Sequence, residues 1–216
     1  MHSLETIAER IHHSFEARTA ARDRALSLAR TLTRHCAHAI RAVHRDESDV
    51  VQIELDGARA NILSIKTDLS EYPDLYYAGY TQDALKEFAE ASIVDALVKN
   101  DSIPTPEELG IEDSTYLNGL AEAAGELRRR CLDILRHGYS QESERLLTHM
   151  DDIYAVLITM DYPDAITGGL RRQTDIVRSL LERTRGDLTI SLQQENLTQD
   201  LRRVEAQLIK QSISSS

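Results

Sequence analysis

The sequence has few of the residues that usually build sheets and turns. It contains no Trp, two Phe, nine Gly and four Pro in 216 residues, and aromatic residues make up 5% of the chain. Because strands are enriched in aromatic and β-branched residues, this composition disfavours a sheet-rich fold. It favours long helices, and the length is sufficient for one domain with a substantial core.

The chain also lacks the segments expected of a secreted or membrane-spanning protein. No run approaches the roughly 20 apolar residues of a membrane span, and the start "MHSLETIAERIHH" has no apolar core of signal-peptide length. Cys36 and Cys131 belong to no CxxC motif, which predicts two reduced, packed thiols. We therefore expect a soluble, cytoplasmic protein with no membrane partner.

Positive charge is in the minority. The chain has 36 acidic and 25 basic residues, and its net charge is −11. A protein this acidic does not coat nucleic acid through general positive charge. A nucleic-acid site would have to be a local basic patch, or use metal ions to bridge two anions.

Apolar residues recur at three- and four-residue steps along most of the chain, a pattern that predicts amphipathic helices. The predicted long helices cover residues 3–44, 49–69, 76–98, 113–136, 141–160 and 169–210. Thr105, Pro106 and Glu108 predict a capping box that begins one short helix. The predicted fold is all-α, a single-domain bundle of about seven helices over residues 1–211, with a flexible tail over residues 212–216.

The lengths of the predicted helices bear on assembly. A helix of about 40 residues spans about 60 Å, which exceeds the width of a compact globule of this size. The ends of such helices need other partners for their apolar stripes. We therefore expect a homo-oligomer.

Two pairs of carboxylates lie beside apolar residues. In "LKEFAEAS", Glu87 and Glu90 are three residues apart, and in "GLAEAAGELRRR", Glu122 and Glu126 are four apart. Four oxygen ligands without nitrogen or sulfur suit Mg²⁺ or Mn²⁺ rather than Zn²⁺. Two pairs of solvated surface glutamates beside Lys and Arg residues would show the same spacing.

Two histidine patterns resemble parts of other kinds of metal site. Glu9-x-x-His12 is one copy of a motif that a di-iron helical bundle needs twice, together with Glu from two further helices. His35-x-x-His38 has no evident further ligands that would complete a zinc site. Both patterns are interpreted as surface pairs.

Basic residues cluster locally in spite of the acidic total. They could contact phosphates, or they could form salt bridges along exposed helix faces. A Tyr-rich segment near residue 80 could stack on bases, or belong to the core or an interface. The candidate nucleic-acid-binding residues are Arg41, Arg45, Arg128, Arg129, Arg130, Arg171, Arg172 and Tyr80.

Several stretches resemble the translin and TRAX family, in order along nearly the whole chain. The most specific is "DYPDAITGGLRRQTDIVRSLLERTRGDLTISL", residues 161–192, which is similar to the C-terminal helix of archaeal TRAX-like members. "AIRAVHRDE", "ALKEFAEAS" and "LAEAAGELRRRCLDILRHGY" resemble earlier segments. The resemblance implies an all-α fold of seven helices and a closed, hollow octamer that binds single-stranded RNA and DNA.

The resemblance also implies roles for the carboxylates. Glu87 and Glu90 match the first acidic pair of TRAX, Glu126 matches the glutamate of the second, and Glu122 stands where TRAX commonly has Asp. The basic segment of translin is absent from "YYAGYTQD". The implied function is a Mg²⁺- or Mn²⁺-dependent endoribonuclease that cuts short single-stranded RNA, and also single-stranded DNA, inside a hollow oligomer. The alternative is a non-catalytic, translin-like shell that binds these strands.

Overall fold

The computed structural model describes residues 3–214, and their side chains as far as residue 211. In this part of the chain all regular structure is helical, in six long helices and three single turns. The helices are α1 (Leu4–His44), α2 (Ser48–Asp68), α3 (Pro73–Tyr76), α4 (Gly79–Lys99), α5 (Pro106–Leu109), α6 (Asp113–Leu135), α7 (Gln141–Leu157), α8 (Asp164–Thr167) and α9 (Leu170–Ser214). The predicted all-α class is confirmed.

The helices differ from the predicted ones mainly at two short segments. The helix predicted to begin near Tyr76 is divided, because Ala78 is extended and separates α3 from α4. The turn α8 precedes α9 and ends at Gly168, whose φ of 63° is left-handed. The capping box at α5 is confirmed, since the Thr105 and Glu108 side chains each accept a hydrogen bond from the other residue's backbone N–H.

The chain divides into two compact units. The first extends to Ala123 and includes Tyr162–Leu170, and the second has Ala124–Asp161 and the residues from Arg171 onward. The single domain predicted over residues 1–211 stays a prediction. Of the predicted flexible tail, residues 215 and 216 lie outside the described residues, and α9 continues through Ser214.

In the first unit, α1 and α2 pack together and α4 packs against α1. α4 is buried on most of its circumference, and Leu85, Phe88 and Ala89 are 0–1% exposed. Polar side chains on such a helix have little access to water, so charged residues there need partners. Glu87 and Glu90 are therefore stronger candidates for a functional site than glutamates on an exposed helix would be.

Gly57 does not interrupt α2, although a glycine lowers helix propensity. A Cβ at this position would lie 2.9 Å from Cε1 of the His35 ring. The glycine therefore makes room for His35 between α1 and α2.

In the second unit, apolar residues of α6, α7 and α9 are buried, among them Leu127, Met150 and Leu181. Cys131 is fully buried, as is Cys36 in the first unit, and both are free thiols as predicted. None of the helices in residues 3–214 has the length and apolar character needed to cross a membrane.

Candidate functional site

Three of the four predicted carboxylates converge in the first unit. Glu87 and Glu90 come from α4 and Glu122 comes from α6, and one carboxylate oxygen of each lies within 4.8 Å of the other two. Glu90 is 8% exposed, and the other two are half-buried. We call these three residues the carboxylate cluster.

A close approach of two helices brings the cluster together. A Cβ added at Gly119 of α6 would lie 2.7 Å from Cβ of Ala89 and 2.8 Å from the carbonyl oxygen of Lys86, both on α4. Only a residue without a side chain allows the helices to meet at this distance. Glu122 follows Gly119 by three residues and therefore shares its helix face.

Lys86 is a member of this site that the sequence analysis missed. Its ammonium Nζ donates a hydrogen bond of 2.8 Å to Oε1 of Glu122, and the two side chains are 21% and 24% exposed. Burial lowers the pKa of Lys86, but the hydrogen bond to Glu122 and the charges of Glu122 and Glu87 outweigh it and raise the pKa above its usual value. The lysine therefore stays charged beside the cluster.

Cys36 of α1 is fully buried and is within electrostatic reach of Glu87 and Glu90. Burial raises the pKa of its thiol, and the charges of Glu87 and Glu90 raise it further. Cys36 is therefore a neutral thiol, and the ionised form that binds soft metals is disfavoured.

The residues present fit a hard divalent cation. The three carboxylates and the Lys86 ammonium leave a formal charge of −2, which one divalent ion would neutralise. An all-oxygen donor set is the kind that Mg²⁺ and Mn²⁺ prefer. Groups of three or more His, Cys, Asp or Glu side chains can hold an ion if their ligand atoms lie close together. In the part of the chain that the structure describes, the carboxylate cluster is the one such group.

Glu126, the fourth predicted carboxylate, is not part of this cluster. It belongs to the second unit, on the same helix as Glu122, and its side chain is 24% exposed. Arg129 donates a hydrogen bond of 3.4 Å to its Oε2. Its place in the site stays a prediction.

The two histidine patterns have different surroundings. Glu9 and His12 are exposed on α1. His35 and His38, interpreted from the sequence as a surface pair, both contact Glu54 of α2, with Nδ1 to carboxylate distances of 2.6 and 3.3 Å. The hydrogen bond with His35 lowers the pKa of Glu54, and His38 adds to the effect. These residues join α1 to α2.

The arginines predicted to bind nucleic acid fall into three groups. Arg41 and Arg45 are exposed at the end of α1 and line a cleft of about 250 Å³ with His38 and Glu47. Arg171 and Arg172 are exposed in the first turn of α9. Both pairs are accessible to a phosphate backbone.

The third group, Arg128 to Arg130, forms ion pairs within the second unit. Arg128 pairs with Asp187 at 2.9 Å and donates to Oγ1 of Thr184 at 2.8 Å. Arg130 reaches Glu142 at 3.4 Å, and Arg129 reaches Glu126. Arg128 thus joins α6 to α9, and Arg130 joins α6 to α7.

Tyr80 is half-buried in the first turn of α4, with its hydroxyl oxygen enclosed and no hydrogen-bond partner for it in the described part of the chain. Tyr77 has the more open ring, at 63% exposed, and packs edge-on against Tyr76. Tyr77 is therefore better placed than Tyr80 to stack on a base.

Comparison with known proteins identifies similar chains, although no protein-family model matches. A protein of Methanocaldococcus jannaschii described as uncharacterised is 34% identical over 186 residues, which cover 85% of this chain and 82% of that protein. The crystal structure of AfC3PO, from Archaeoglobus, has a TM-score of 0.79 and 30% identity, over 85% of this chain and 96% of that one.

Two further solved structures are similar. The AfC3PO–duplex RNA complex has a TM-score of 0.78 and 29% identity, over 85% of this chain and 95% of that one. Apo-NeC3PO, from Neurospora, has a TM-score of 0.78 over 88% of this chain and all of its own. Its 18% identity shows a shared fold alone.

Proposed function

Because the chain belongs to the translin/TRAX family, we propose that it binds RNA and cleaves it as a Mg²⁺- or Mn²⁺-dependent endoribonuclease. The carboxylate cluster is the observation that carries the proposal, since three carboxylates converge beside a mostly buried helix. The existence of an AfC3PO complex with duplex RNA supports RNA as the ligand. Short single-stranded RNA is the proposed substrate, and single-stranded DNA is a second one.

In this proposal Glu87, Glu90 and Glu122 would hold the metal ion. When bound, the ion supplies an acidic water and neutralises charge at the scissile phosphate. Glu126, the fourth predicted carboxylate, would be the candidate general base for the attacking water, a role that its own variant tests. Exposed arginines hold the neighbouring phosphates in place.

Labelled RNA incubated with purified protein tests this proposal. Single-stranded RNA, the matched duplex and single-stranded DNA are each compared with Mg²⁺, with Mn²⁺ and with a chelator. Cleavage that requires metal supports the nuclease. A gel shift with intact RNA under all three conditions would support a non-catalytic, RNA-binding shell instead.

We also propose that the chain forms a homo-oligomer, as an octamer. The beginning of α1 and the end of α9 carry apolar side chains that their own units leave exposed. These are Leu4, Ile7, Ile11, Phe15, Leu197, Leu201, Val204 and Leu208. Light scattering is expected to give about eight times the chain mass, and a monomer at micromolar concentration would contradict the proposal.

Arg171 and Arg172, in the first turn of α9, are expected to contribute to RNA affinity through phosphate contacts. The double variant Arg171→Ala, Arg172→Ala is expected to flatten the dependence of log affinity on log salt by about 0.7 for each contact with a single strand. Binding is measured between low and moderate salt by fluorescence anisotropy. The control Arg202→Ala, Arg203→Ala removes the same charge further along α9. An unchanged slope in the first variant would show that these arginines make no phosphate contacts.

A further inference from the structure

The ion pair between Lys86 and Glu122 places a cation inside the carboxylate cluster. The ammonium Nζ lies 2.8 Å from Oε1 of Glu122, and Lys86 directly precedes Glu87 in the chain. Both side chains are about three-quarters buried. The pair therefore lies among groups whose mutual repulsion water screens only weakly.

We propose that Lys86 is a built-in counter-cation that competes with the divalent metal ion for Glu122. This inference rests on the proposed metal site. In the absence of metal, the ammonium offsets the repulsion between the three carboxylates. When a divalent ion binds, either the Lys86–Glu122 pair weakens or the Lys86 ammonium remains as a second positive charge beside the ion.

The alternative is a purely structural pair that joins α4 to α6. Such a pair would position Glu122, so that its loss would weaken metal binding. Competition predicts the opposite sign, because removing the ammonium charge removes one cation that competes for Glu122 and makes the cluster more negative. The direction of the change in metal affinity therefore separates the two roles.

Lys99 provides a matched control on the same helix. Its Nζ lies 2.8 Å from Asp95, so it also forms a short ion pair, but this pair is outside the cluster. Lys99→Gln changes the net charge of the protein as much as Lys86→Gln does. Any difference between the two variants then reports position and not total charge.

The experiment measures Mn²⁺ binding without RNA, from the electron paramagnetic resonance signal of free Mn²⁺. Lys86→Gln is expected to bind Mn²⁺ about tenfold more tightly than the wild type, within the usual size of coupling between two sites. Lys86→Arg and Lys99→Gln are expected to stay close to the wild type. Lys86→Met repeats the comparison with the alkyl stem retained, and circular dichroism checks the helix content of every variant.

Two results would overturn the inference while leaving the metal site intact. Equal affinity in the wild type, Lys86→Gln and Lys86→Met would show no competition. Weaker binding in the two neutral variants would make Lys86 a structural support of Glu122. The metal site itself fails if Glu90→Gln binds Mn²⁺ as the wild type does, or if neither the wild type nor Lys86→Gln binds it.

Discussion

The variant Glu90→Gln is expected to lose RNA cleavage by a factor of about 100 or more, the scale on which single catalytic groups act. Glu90 is 8% exposed and belongs to the carboxylate cluster. An amide keeps the shape of the side chain but removes the negative charge that attracts a hard cation. The measurement is the cleavage rate of labelled RNA at saturating Mg²⁺, with RNA affinity and oligomer size expected to remain as in the wild type.

Glu126→Gln tests the fourth carboxylate in the same assay and is expected to lose a similar factor. The control is Glu71→Gln, an exposed position between α2 and α3, which is expected to cleave at the wild-type rate. Loss of activity in Glu90→Gln alone would confine the site to the carboxylate cluster. Full Mg²⁺-dependent cleavage by the double variant Glu90→Gln, Glu126→Gln would show that neither glutamate takes part in catalysis.

The long helices could be predicted because their signal is local. Apolar residues at three- and four-residue steps mark α1, α2 and α6, and the predicted bounds are within a few residues of those observed. The predicted start near Tyr76 is earlier than the observed start of α4 at Gly79, because the extended Ala78 interrupts the helix. No glycine or proline immediately precedes Ala78 to indicate this break. Because many residue types adopt an extended conformation, the sequence does not indicate where a single extended residue interrupts a helix.

The candidate site could be predicted where its geometry follows helix periodicity, and the resemblance to TRAX added the glutamates of a second helix. The spacing of Glu87 and Glu90 places both on one face of α4. Lys86 was missed because its partner is on another helix, 36 residues away. Arg128 likewise pairs with Asp187 of α9, and not with a neighbour on its own helix. Contacts of this kind depend on how helices meet, which residue spacing along one helix does not contain.

Gly119 offers the strongest structural test of the site, because it sets the distance between α4 and α6. The variant Gly119→Ala is expected to destabilise the protein by about 1–3 kcal/mol, the usual cost of adding a methyl group where there is no room for it. The added Cβ would lie within 3 Å of Ala89 and of the Lys86 backbone, and a backbone carbonyl cannot move aside as a side-chain end can. Thermal or denaturant unfolding measures this loss.

The same substitution is expected to weaken Mn²⁺ binding and to lower cleavage about tenfold or more, because sub-ångström to 1 Å displacements of catalytic groups carry costs of this order. Moving α6 away from α4 separates Glu122 from Glu87 and Glu90. The substitution therefore tests the geometry of the cluster without changing any of its carboxylates. Gly186→Ala is the matched control, since Gly186 is inside α9 with nothing within 4 Å of the added Cβ. That variant is expected to gain about 0.5–1 kcal/mol from higher helix propensity and to keep its Mn²⁺ affinity. A Gly119→Ala protein with wild-type stability and Mn²⁺ affinity would show that the close approach of the two helices does not position the cluster.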